Sequence, residues 1–328
     1  MDNNQTENEW AKRFSPLDLL TNTKSSLNIC APMVRYSKLP FRELVKQYGV
    51  DVLYTPMILA DVFKNSAISR EVDFQTSIND SPVIVQFGAA NSKDLADASE
   101  LVAKYCSGVD INCGCPQKWA ISEGIGCHLM ERPDLVADMI SQTKRRTSIL
   151  NFQSNSGTGF PCSVKIRKHN DLRRTVDFAQ KAEAAGADWI TVHGRTRRQR
   201  SHEPCDFDAI KLIKESVSIP VFANGDVFNL SDKEEILKKT GCDGVMAARG
   251  LLENPALFAG YEKTPVECVK KFVELSLGLG SHHFIFHHHL MYMLEKSMSR
   301  AEKKHFNTIS SIAGCIDYLT DHYGLEFF

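Results

Sequence analysis

Residues 163–193, SVKIRKHNDLRRTVDFAQKAEAAGADWITVH, contain one complete strand–helix–strand pattern. The apolar runs Ser163–Ile166 and Trp189–Val192 are too short for helices and have the composition of strands that are buried on both faces. Between them, Leu172–Ala185 has the apolar spacing of an amphipathic helix. The stretch therefore predicts two parallel strands joined by a helix.

The same pattern recurs along most of the chain. The other short apolar runs are Leu27–Ala31, Val52–Thr55, Pro82–Phe87, Val109–Asn112, Pro220–Ala223 and Gly244–Ala247. The other clear helical segments are Asp94–Tyr105, Asp134–Arg145, Asp206–Ser216 and Asp232–Thr240. Eight strand signals that alternate with helices predict an α/β fold of the closed (β/α)8 TIM-barrel type, with a doubly wound sheet as the alternative.

The chain divides into three predicted parts. Residues 1–25 are rich in Asn, Thr and Ser, so we expect a loosely ordered leader, and the barrel follows over residues 26–262. Within the barrel, Asn151–Pro161 has the composition of a flexible insertion at the end opposite the chemistry. The strand pattern stops after about Gly260, and residues 263–328 predict a small all-helical C-terminal domain.

Composition bounds the class of protein. The formal net charge is -1, from 39 Lys+Arg and 40 Asp+Glu, which excludes a globally basic nucleic-acid binder but not a local basic face. No apolar run is long enough to predict a membrane span, and the acidic start has no secretory pattern. The 10 cysteines lack a disulfide framework. We expect a soluble intracellular enzyme, in the cytoplasm or the nucleus.

Polar or small residues stand at the carboxyl end of each apolar run. They are Pro32-Met33, Thr55-Pro56, Gln86, Asn112, Lys165-Ile166-Arg167, His193, Asn224 and Arg249. Barrel enzymes carry their chemistry at the carboxyl ends of the strands, where the side chains from successive strands converge. The common placement of these residues therefore predicts one site at this end of the barrel.

The strongest local motif is Asn112-Cys113-Gly114-Cys115-Pro116, directly after the fourth run. Half of a zinc site and two buried structural cysteines are alternatives, although no second ligand pair stands at zinc spacing. The third interpretation is a thiol that the turn presents for proton or covalent chemistry. Cys115 lies further into the loop than Cys113 and is the expected reactive residue.

Lys165 and His193 have matching positions on the fifth and sixth strands. A lysine in a strand buried on both faces has to point into the barrel mouth, because an ammonium is costly to bury. Lys165 is suited to a Schiff base or to a contact with an electron-rich cofactor, and an edge-strand lysine is the structural alternative. A single histidine is usually structural, but His193 is followed by Gly194-Arg195-Thr196, which suits a phosphate.

The seventh and eighth runs end in Asn224-Gly225-Asp226 and Ala248-Arg249-Gly250. The loops after these two strands often bind phosphate in such barrels, and an arginine can contact the same group. No Gly-x-Gly-x-x-Gly motif follows a strand, which argues against a dinucleotide-binding doubly wound fold. The pattern predicts a barrel that holds a phosphorylated cofactor.

In order, these motifs resemble those of the tRNA-dihydrouridine synthase family, over residues 28–262. The matching segments are Ala31-Pro32-Met33, Val85–Gly88, Asn112–Pro116 with Gly124-x-Gly126, Lys165–Arg167, His193–Thr196, Asn224–Asp226 and Ala248–Gly250. The segment Ala31–Arg42 looks like the eukaryotic branch that modifies tRNA positions 20a and 20b. The resemblance implies FMN at the barrel mouth, reduction of uridine to 5,6-dihydrouridine in the D-loop, and NADPH or NADH as electron donor.

The resemblance also implies roles for individual residues. Cys115 matches the general acid that protonates the uracil. Twelve residues match the flavin site: Pro32, Met33, Val34, Gln86, Asn112, Lys165, His193, Asn224, Gly225, Asp226, Ala248 and Arg249. The tRNA partner is bound through its phosphates, and the basic loop Arg195, Arg197, Arg198 and Arg200 is the predicted contact, with a solvated charge run as the alternative. The C-terminal helical region is expected to add tRNA contacts.

The stretch His282–His289 holds five histidines, and His283 and His287 share a helix face. A metal site is one interpretation, but no acidic or Cys partner accompanies these residues, so we expect packing or RNA contact and no metal. We expect no obligatory protein partner. Three other functions compete: an FMN-dependent dehydrogenase of a free pyrimidine, a Schiff-base aldolase that uses Lys165, and an RNA-binding barrel without turnover.

Overall fold

The computed structural model describes residues 15–22, 25–150, 152 and 159–327, and these residues contain a closed barrel of parallel strands. The strands are β1 (Leu27–Cys30), β2 (Val52–Tyr54), β3 (Ile58–Leu59), β4 (Val83–Gly88), β5 (Gly108–Cys113), β6 (Cys162–Arg167), β7 (Ile190–His193), β8 (Val221–Asn224) and β9 (Gly244–Ala247). β1 pairs with β9, and the pairing of β2 with β4 closes the barrel. The predicted fold is confirmed. The two-residue β3, which extends the ladder along β4, was not predicted.

Alternation of side chains along each strand explains why all the runs are apolar. On β5, Val109, Ile111 and Cys113 point outward into the layer between strands and helices. Asp110 and Asn112 have the opposite parity and therefore point into the barrel. The barrel interior is filled by large side chains, among them Tyr54, Trp189 and Phe222, and Trp189 Nε1 donates to the Tyr54 hydroxyl at 2.9 Å. The interior is thus a packed core rather than a pore.

Helices surround the barrel and connect its strands. Those of the barrel region are α1 (Pro16–Asn22), α2 (Leu39–Gln47), α3 (Ala60–Asn65), α4 (Ala67–Asp73), α5 (Ser92–Val102), α6 (Lys118–Ser122), α7 (Pro133–Thr147), α8 (Leu172–Ala184), α9 (Phe207–Ser216), α10 (Leu230–Thr240) and α11 (Arg249–Glu253). The 3₁₀ turns are Ile78–Asp80, Gly126–Glu131 and Leu257–Ala259. The five helices predicted from periodicity are present as α5 and α7–α10.

The expected loose order of residues 1–25 is wrong for α1. Ser15 caps this helix by accepting from the Leu17 amide at 3.2 Å, and Asp18 accepts from the Ser15 amide at 3.1 Å. Leu17, Leu19 and Leu20 pack against the apolar interior of the barrel. Three leucines among polar residues thus supply a buried face that composition alone did not reveal. Residues 1–14, 23 and 24 of the expected leader lie outside the described residues.

The predicted insertion at 151–161 connects α7 to the start of β6, at the amino end of that strand. Most of it lies outside the described residues. Phe152 and Phe160, which flank the undescribed part, have ring centroids 5.4 Å apart. The described residues on either side of it therefore lie at the end of the barrel opposite the predicted site.

Four helices follow the barrel, as the loss of the strand pattern predicted. They are α12 (Val266–Leu279), α13 (His283–Met293), α14 (Arg300–Phe306) and α15 (Ile312–Tyr323). α12 packs against α2 of the barrel. From α13, the His289 ring stacks on Phe41 of α2 with centroids 4.6 Å apart. The helical region is therefore joined to the barrel through α2.

Candidate active site at the carboxyl ends of the strands

Strand register brings the predicted polar side chains to one level at the barrel mouth. Asn112 is opposite Lys165, and His193 is opposite Asn224. Lys165 Nζ donates to Asn224 Oδ1 at 2.8 Å, and Asn224 Nδ2 donates to the Met246 carbonyl at 2.8 Å. The amide of Asn224 thereby fixes the ammonium in the mouth. Residues from four strands, β5 to β8, therefore meet at the mouth.

Cys115 lies in the turn beyond β5 and is half-buried. Asn112 Oδ1 accepts from the amides of both Gly114 and Cys115, at 3.1 and 2.9 Å. The Cys127 amide donates to the Cys115 carbonyl at 2.9 Å. Gly126 has a φ of +63°, and a Cβ at that position would lie 2.6 Å from the Cys115 carbonyl oxygen. Only glycine allows this close approach, so the motif fixes the position of the thiol.

The two cysteines of the motif have different surroundings. Cys113 is fully buried in the outer layer of the barrel, where desolvation raises the pKa of its thiol far above its ordinary value. Cys115 lies two residues beyond the end of β5, half-buried and close enough to Lys165 at the mouth to interact with its charge. Of the two, only Cys115 is placed to meet a ligand. Cys115 remains the candidate reactive residue.

Burial and neighbouring charges lower the pKa values of Lys165 and His193 in the mouth. Burial, aided by the Arg167 charge, lowers the pKa of Lys165 to about 8. Burial and then the charges of Lys165 and Arg167 lower the pKa of His193 to about 2. Lys165 is therefore cationic at neutral pH, whereas His193 is a neutral ring.

A small cavity lies at the ends of β7, β8 and β9. His193, Asn224, Gly225, Asp226, Ala248 and Arg249 all line it. Arg249 donates to Asp226 Oδ1 at 3.1 Å and to the Ser201 carbonyl at 3.0 Å. Ala248, at the N-cap of α11, has no side-chain acceptor for the first amides of the helix. Arg195 and Arg249 both pair with the single carboxylate of Asp226. This three-residue cluster at the ends of β8 and β9 therefore has a net positive charge.

The predicted basic loop is divided by the fold. Arg195 is 2% exposed and donates to the Glu203 carbonyl at 2.6 Å, in addition to its ion pair with Asp226. Its assignment to a tRNA-facing surface is wrong, because both its charge and its donors are used inside the protein. Arg197, Arg198 and Arg200 are exposed. Arg197 and Arg198 line a groove beside the mouth, together with Arg167, Lys168, His169 and Arg174.

Pro32, Met33 and Val34 form the turn after β1, at the same end of the barrel. Ser37 closes this turn: its Oγ accepts from the Met33 amide at 3.0 Å, and its amide donates to the Met33 carbonyl at 3.0 Å. The Met33 side chain packs on the barrel interior, while Val34 is 49% exposed. The turn is thus held by its own hydrogen bonds at the rim of the mouth.

Residues 29–316 match the family described as dihydrouridine synthase. This chain belongs to the dihydrouridine synthase family. It is 53% identical over 314 residues to a human protein named tRNA-dihydrouridine(20a/20b) synthase [NAD(P)+]-like, covering 96% of each chain. It is 45% identical over 300 residues to tRNA-dihydrouridine(20a/20b) synthase [NAD(P)+] of Schizosaccharomyces pombe, covering 92% of this chain and 89% of that one. The predicted family and enzyme class are confirmed.

The barrel also resembles solved structures in fold. An old yellow enzyme homologue from Zymomonas mobilis superposes with a TM-score of 0.52 at 9% identity, covering 70% of this chain and 86% of that one. At this identity the likeness concerns the fold alone. The dihydrouridine synthase assignment rests on the family match and the sequence relatives.

The histidine stretch of this dihydrouridine synthase is used for packing. His289 Nε2 lies 3.1 Å from the Tyr36 carbonyl, and His287 Nε2 lies 2.9 Å from the Phe306 carbonyl. His288 Nδ1 lies 3.0 Å from the Tyr36 hydroxyl. Among the described residues, no group of three or more His, Cys, Asp or Glu is placed to hold a metal ion. In the same part of the chain, no helix is long and apolar enough to cross a membrane.

The sequence analysis gave no role to two residues of the site. Arg167 donates from Nε to the Gly114 carbonyl at 2.9 Å and from Nη1 to the Thr196 carbonyl at 3.0 Å, and so ties the Cys115 turn to the loop after β7. Asp110 is fully buried inside the barrel and accepts from Gln86 Nε2 at 2.8 Å. A charged residue inside or directly after an apolar run was the available signal for both: Asp110 lies in Val109–Asn112, and Arg167 follows Ser163–Ile166.

Proposed function

We propose that this protein is an FMN-dependent tRNA-dihydrouridine synthase that reduces uridines at positions 20a and 20b of the tRNA D-loop, with NADPH or NADH as electron donor. Family membership and relatives named for 20a/20b and NAD(P)+ support the reaction and the positions. The observation that carries the proposal is the half-buried Cys115 thiol, presented beside a cationic Lys165 and a neutral His193 at one barrel mouth.

The residues present fit a flavin mononucleotide. Lys165 places a positive charge in the mouth, which suits an electron-rich ring, and Gln86 and His193 are the expected neighbours of that ring. At the other end, Arg249, the surplus charge of the Arg195–Asp226–Arg249 cluster and the uncapped first amides of α11 suit the phosphate. When bound, FMN supplies hydride to C6 of the uracil.

The residues of the protein have to bind the target uridine, orient its uracil and protonate it. Cys115 gives its thiol proton to C5 of the uracil, because it is the acidic group that the turn beyond β5 presents. Lys165 remains protonated at neutral pH, held by Asn224, and contributes charge rather than a proton. His193 contributes hydrogen bonds as a neutral ring. The target uridine leaves its stack to enter the mouth, at a cost of a few kcal/mol that is smaller in a loop than in a duplex.

The exposed arginines beside the mouth provide the contact to tRNA in this proposal. Arg197, Arg198 and Arg200 lie on the catalytic side, and Lys168 and Arg174 extend the basic surface along the groove. Local field governs association with a polyanion, so a net charge of -1 is compatible with tRNA binding. The helical region over 263–328 adds contacts on the side of α2. The substrate places the activity inside the cell, in the cytoplasm or the nucleus.

The test uses purified protein and defined tRNA. We expect a yellow protein that releases FMN on denaturation and converts uridines 20a and 20b of an unmodified transcript to dihydrouridine when NADPH or NADH is present. A transcript with cytidine at both positions is the control and should gain none. Colourless protein, or reduction of free uracil or orotate at the rate seen with tRNA, would contradict the proposal.

A further inference from the structure

Asp110 is a buried carboxylate for which the proposed reaction has no use. It lies on β5 inside the barrel and is fully buried. Its Oδ1 accepts from the Ser163 hydroxyl at 2.7 Å, and its Oδ2 accepts from Gln86 Nε2 at 2.8 Å. Burying a carboxylate is costly unless it is hydrogen-bonded, and these bonds offset part of that cost. The cost of burying this carboxylate suggests that Asp110 has a function in the site.

The hydrogen bonds that start at Asp110 have a fixed direction. An ionised carboxylate can only accept, so Gln86 has to turn its Nε2 toward Asp110 and its Oε1 away from it. Gln86 Oε1 then accepts from Asn112 Nδ2 at 2.7 Å. This leaves Asn112 Oδ1 facing the turn, where it accepts from the Gly114 and Cys115 amides. Each side-chain amide in the series has its orientation set by the residue before it.

We propose that Asp110 is a positioning residue, which acts through Gln86 and Asn112 to hold the turn that presents the Cys115 thiol. The part of this inference that concerns catalysis rests on the proposed function, in which Cys115 gives the proton. The physical reason is polarity. If residue 110 donated instead, Gln86 would turn over and offer Nε2 to Asn112, and Asn112 would then present Nδ2 to two backbone N–H groups. Donors would face donors, and the turn would lose both bonds.

The surroundings of Asp110 make its positioning role depend on pH. Burial raises the pKa of Asp110 to about 6, while hydrogen bonds from Gln86 and Ser163 and the charge of Lys165 act in the lowering direction. The charged and titratable groups that face it are Lys165 and Cys162 on β6, Tyr54 on β2 and Cys113 on β5. Above about pH 6 the carboxylate is ionised and can only accept. Below that pH it carries a proton and can donate, so the rate of dihydrouridine formation at saturating tRNA should fall.

The decisive experiment exchanges the two ends of the series. In Asp110→Asn, the side-chain oxygen keeps the bond from the Ser163 hydroxyl, so Nδ2 faces Gln86 and should turn it over. Asn112→Asp can still accept from the two amides but can no longer donate to Gln86. In the double variant the turned-over Gln86 donates to Asp at position 112, so every bond can form again with reversed direction. Ser163→Ala is the matched control, because it removes a partner of Asp110 without touching the bonds toward Cys115.

Two quantities are measured on flavin-loaded protein: hydrogen exchange at the Gly114 and Cys115 amides without tRNA, and kcat and KM for tRNA. We expect Asp110→Asn to speed exchange at both amides about 5-fold or more, as the loss of one hydrogen bond per amide implies. Asn112→Asp should also speed exchange, because its carboxylate would face the acceptor Oε1 of Gln86 and be repelled from its place beside the two amides. The kcat of Asp110→Asn should fall about 10- to 100-fold, as expected for a displaced reacting group, with KM for tRNA within about 2-fold. The double variant should regain slow exchange, and Ser163→Ala should keep it.

The inference would be overturned if the Gly114 and Cys115 amides of Asp110→Asn exchanged at the wild-type rate. It would also be overturned if these amides exchanged as fast in the double variant as in the single variants. If Asp110→Asn does not fold, Asn112→Asp alone decides, since unchanged exchange there would mean that the link to Gln86 does not hold the turn. Wild-type activity that is level through pH 6 would also count against it. Absence of any dihydrouridine formation by the wild type would reject the proposed function, whereas the exchange result would still decide the positioning role.

Discussion

Arg195 donates from Nη2 to Oδ2 of Asp226 at 2.5 Å, and the guanidinium is shielded from solvent. Arg249 donates to the other oxygen of the same carboxylate at 3.1 Å. One carboxylate between two guanidinium groups leaves a positive charge at the ends of β8 and β9. The buried Arg195 stabilises the cluster, and the more exposed Arg249 can also donate hydrogen bonds to a ligand.

The two arginines should therefore differ in what their removal does. Arg249→Ala is expected to weaken FMN retention about 10- to 100-fold, since a bond to a charged group is lost, with little effect on tRNA affinity. Arg195→Ala should lower the free energy of unfolding by about 2 kcal/mol, because a buried bond to a charged group is broken. Flavin content after gel filtration and urea unfolding measure the two effects, with replacement of the exposed Arg300 by Ala, at the start of α14, as control. Full flavin content in Arg249→Ala would contradict its assignment.

Cys115→Ala should separate the two halves of the reaction. The flavin and its reduction by NADPH should remain, while dihydrouridine formation should fall about 10²- to 10⁴-fold, the range typical of a lost general acid. Stopped-flow absorbance of the flavin and nucleoside analysis of the tRNA report the two steps. Cys113→Ala is the matched control, because its thiol faces the outer layer of the barrel, and its effect should be mild. Full tRNA reduction by Cys115→Ala would reject the role of this thiol.

The exposed basic loop sets the salt dependence of tRNA binding in our proposal. Each phosphate that a protein neutralises adds about 0.7 to 0.9 to the slope of log affinity against log salt. Replacing Arg197, Arg198 and Arg200 with Ala should flatten that slope and raise KM for tRNA, while NADPH oxidation without tRNA should hardly change. A double Ala variant of Lys238 and Lys239, exposed in the last turn of α10, is the control. An unchanged slope in the triple variant would mean that the loop is only a solvated charge run.

Lys165 predicts a pH dependence of FMN affinity. Its pKa of about 8 means that the ammonium is present below that pH and is lost above it. Because the cation favours an anionic ligand, the affinity of the flavin-free protein for FMN should fall as the pH rises past about 8. Fluorescence titration of FMN against pH measures this. Lys165→Met should bind more weakly and lose the inflection, and an inflection that persists in this variant would assign it to another group.

Much of the fold and several site residues could be predicted from the sequence because the relevant signals are local. Eight short apolar runs separated by helical periodicity suffice for a barrel, since strands buried on both faces need no polar alternation. Carboxyl-end placement of Gln86, Lys165, His193 and Asn224 follows from the same register. The helix Pro16–Asn22 escaped prediction because its three leucines become informative only once the barrel interior they cover is known.

The tertiary structure decided how charges and thiols are used. Arg195 and Arg197 are two residues apart in one basic run, yet Arg195 is buried against Asp226 while Arg197 lines an exposed groove. The direction of the hydrogen bonds from Asp110 to the Cys115 turn is likewise invisible in sequence, because it depends on contacts between β4, β5 and β6. Sequence determines which groups a strand carries and which face each one takes. The tertiary structure determines which hydrogen-bond or ion-pair partner each group has. These interactions depend on distances between residues of different strands, and those distances are set only when the barrel packs.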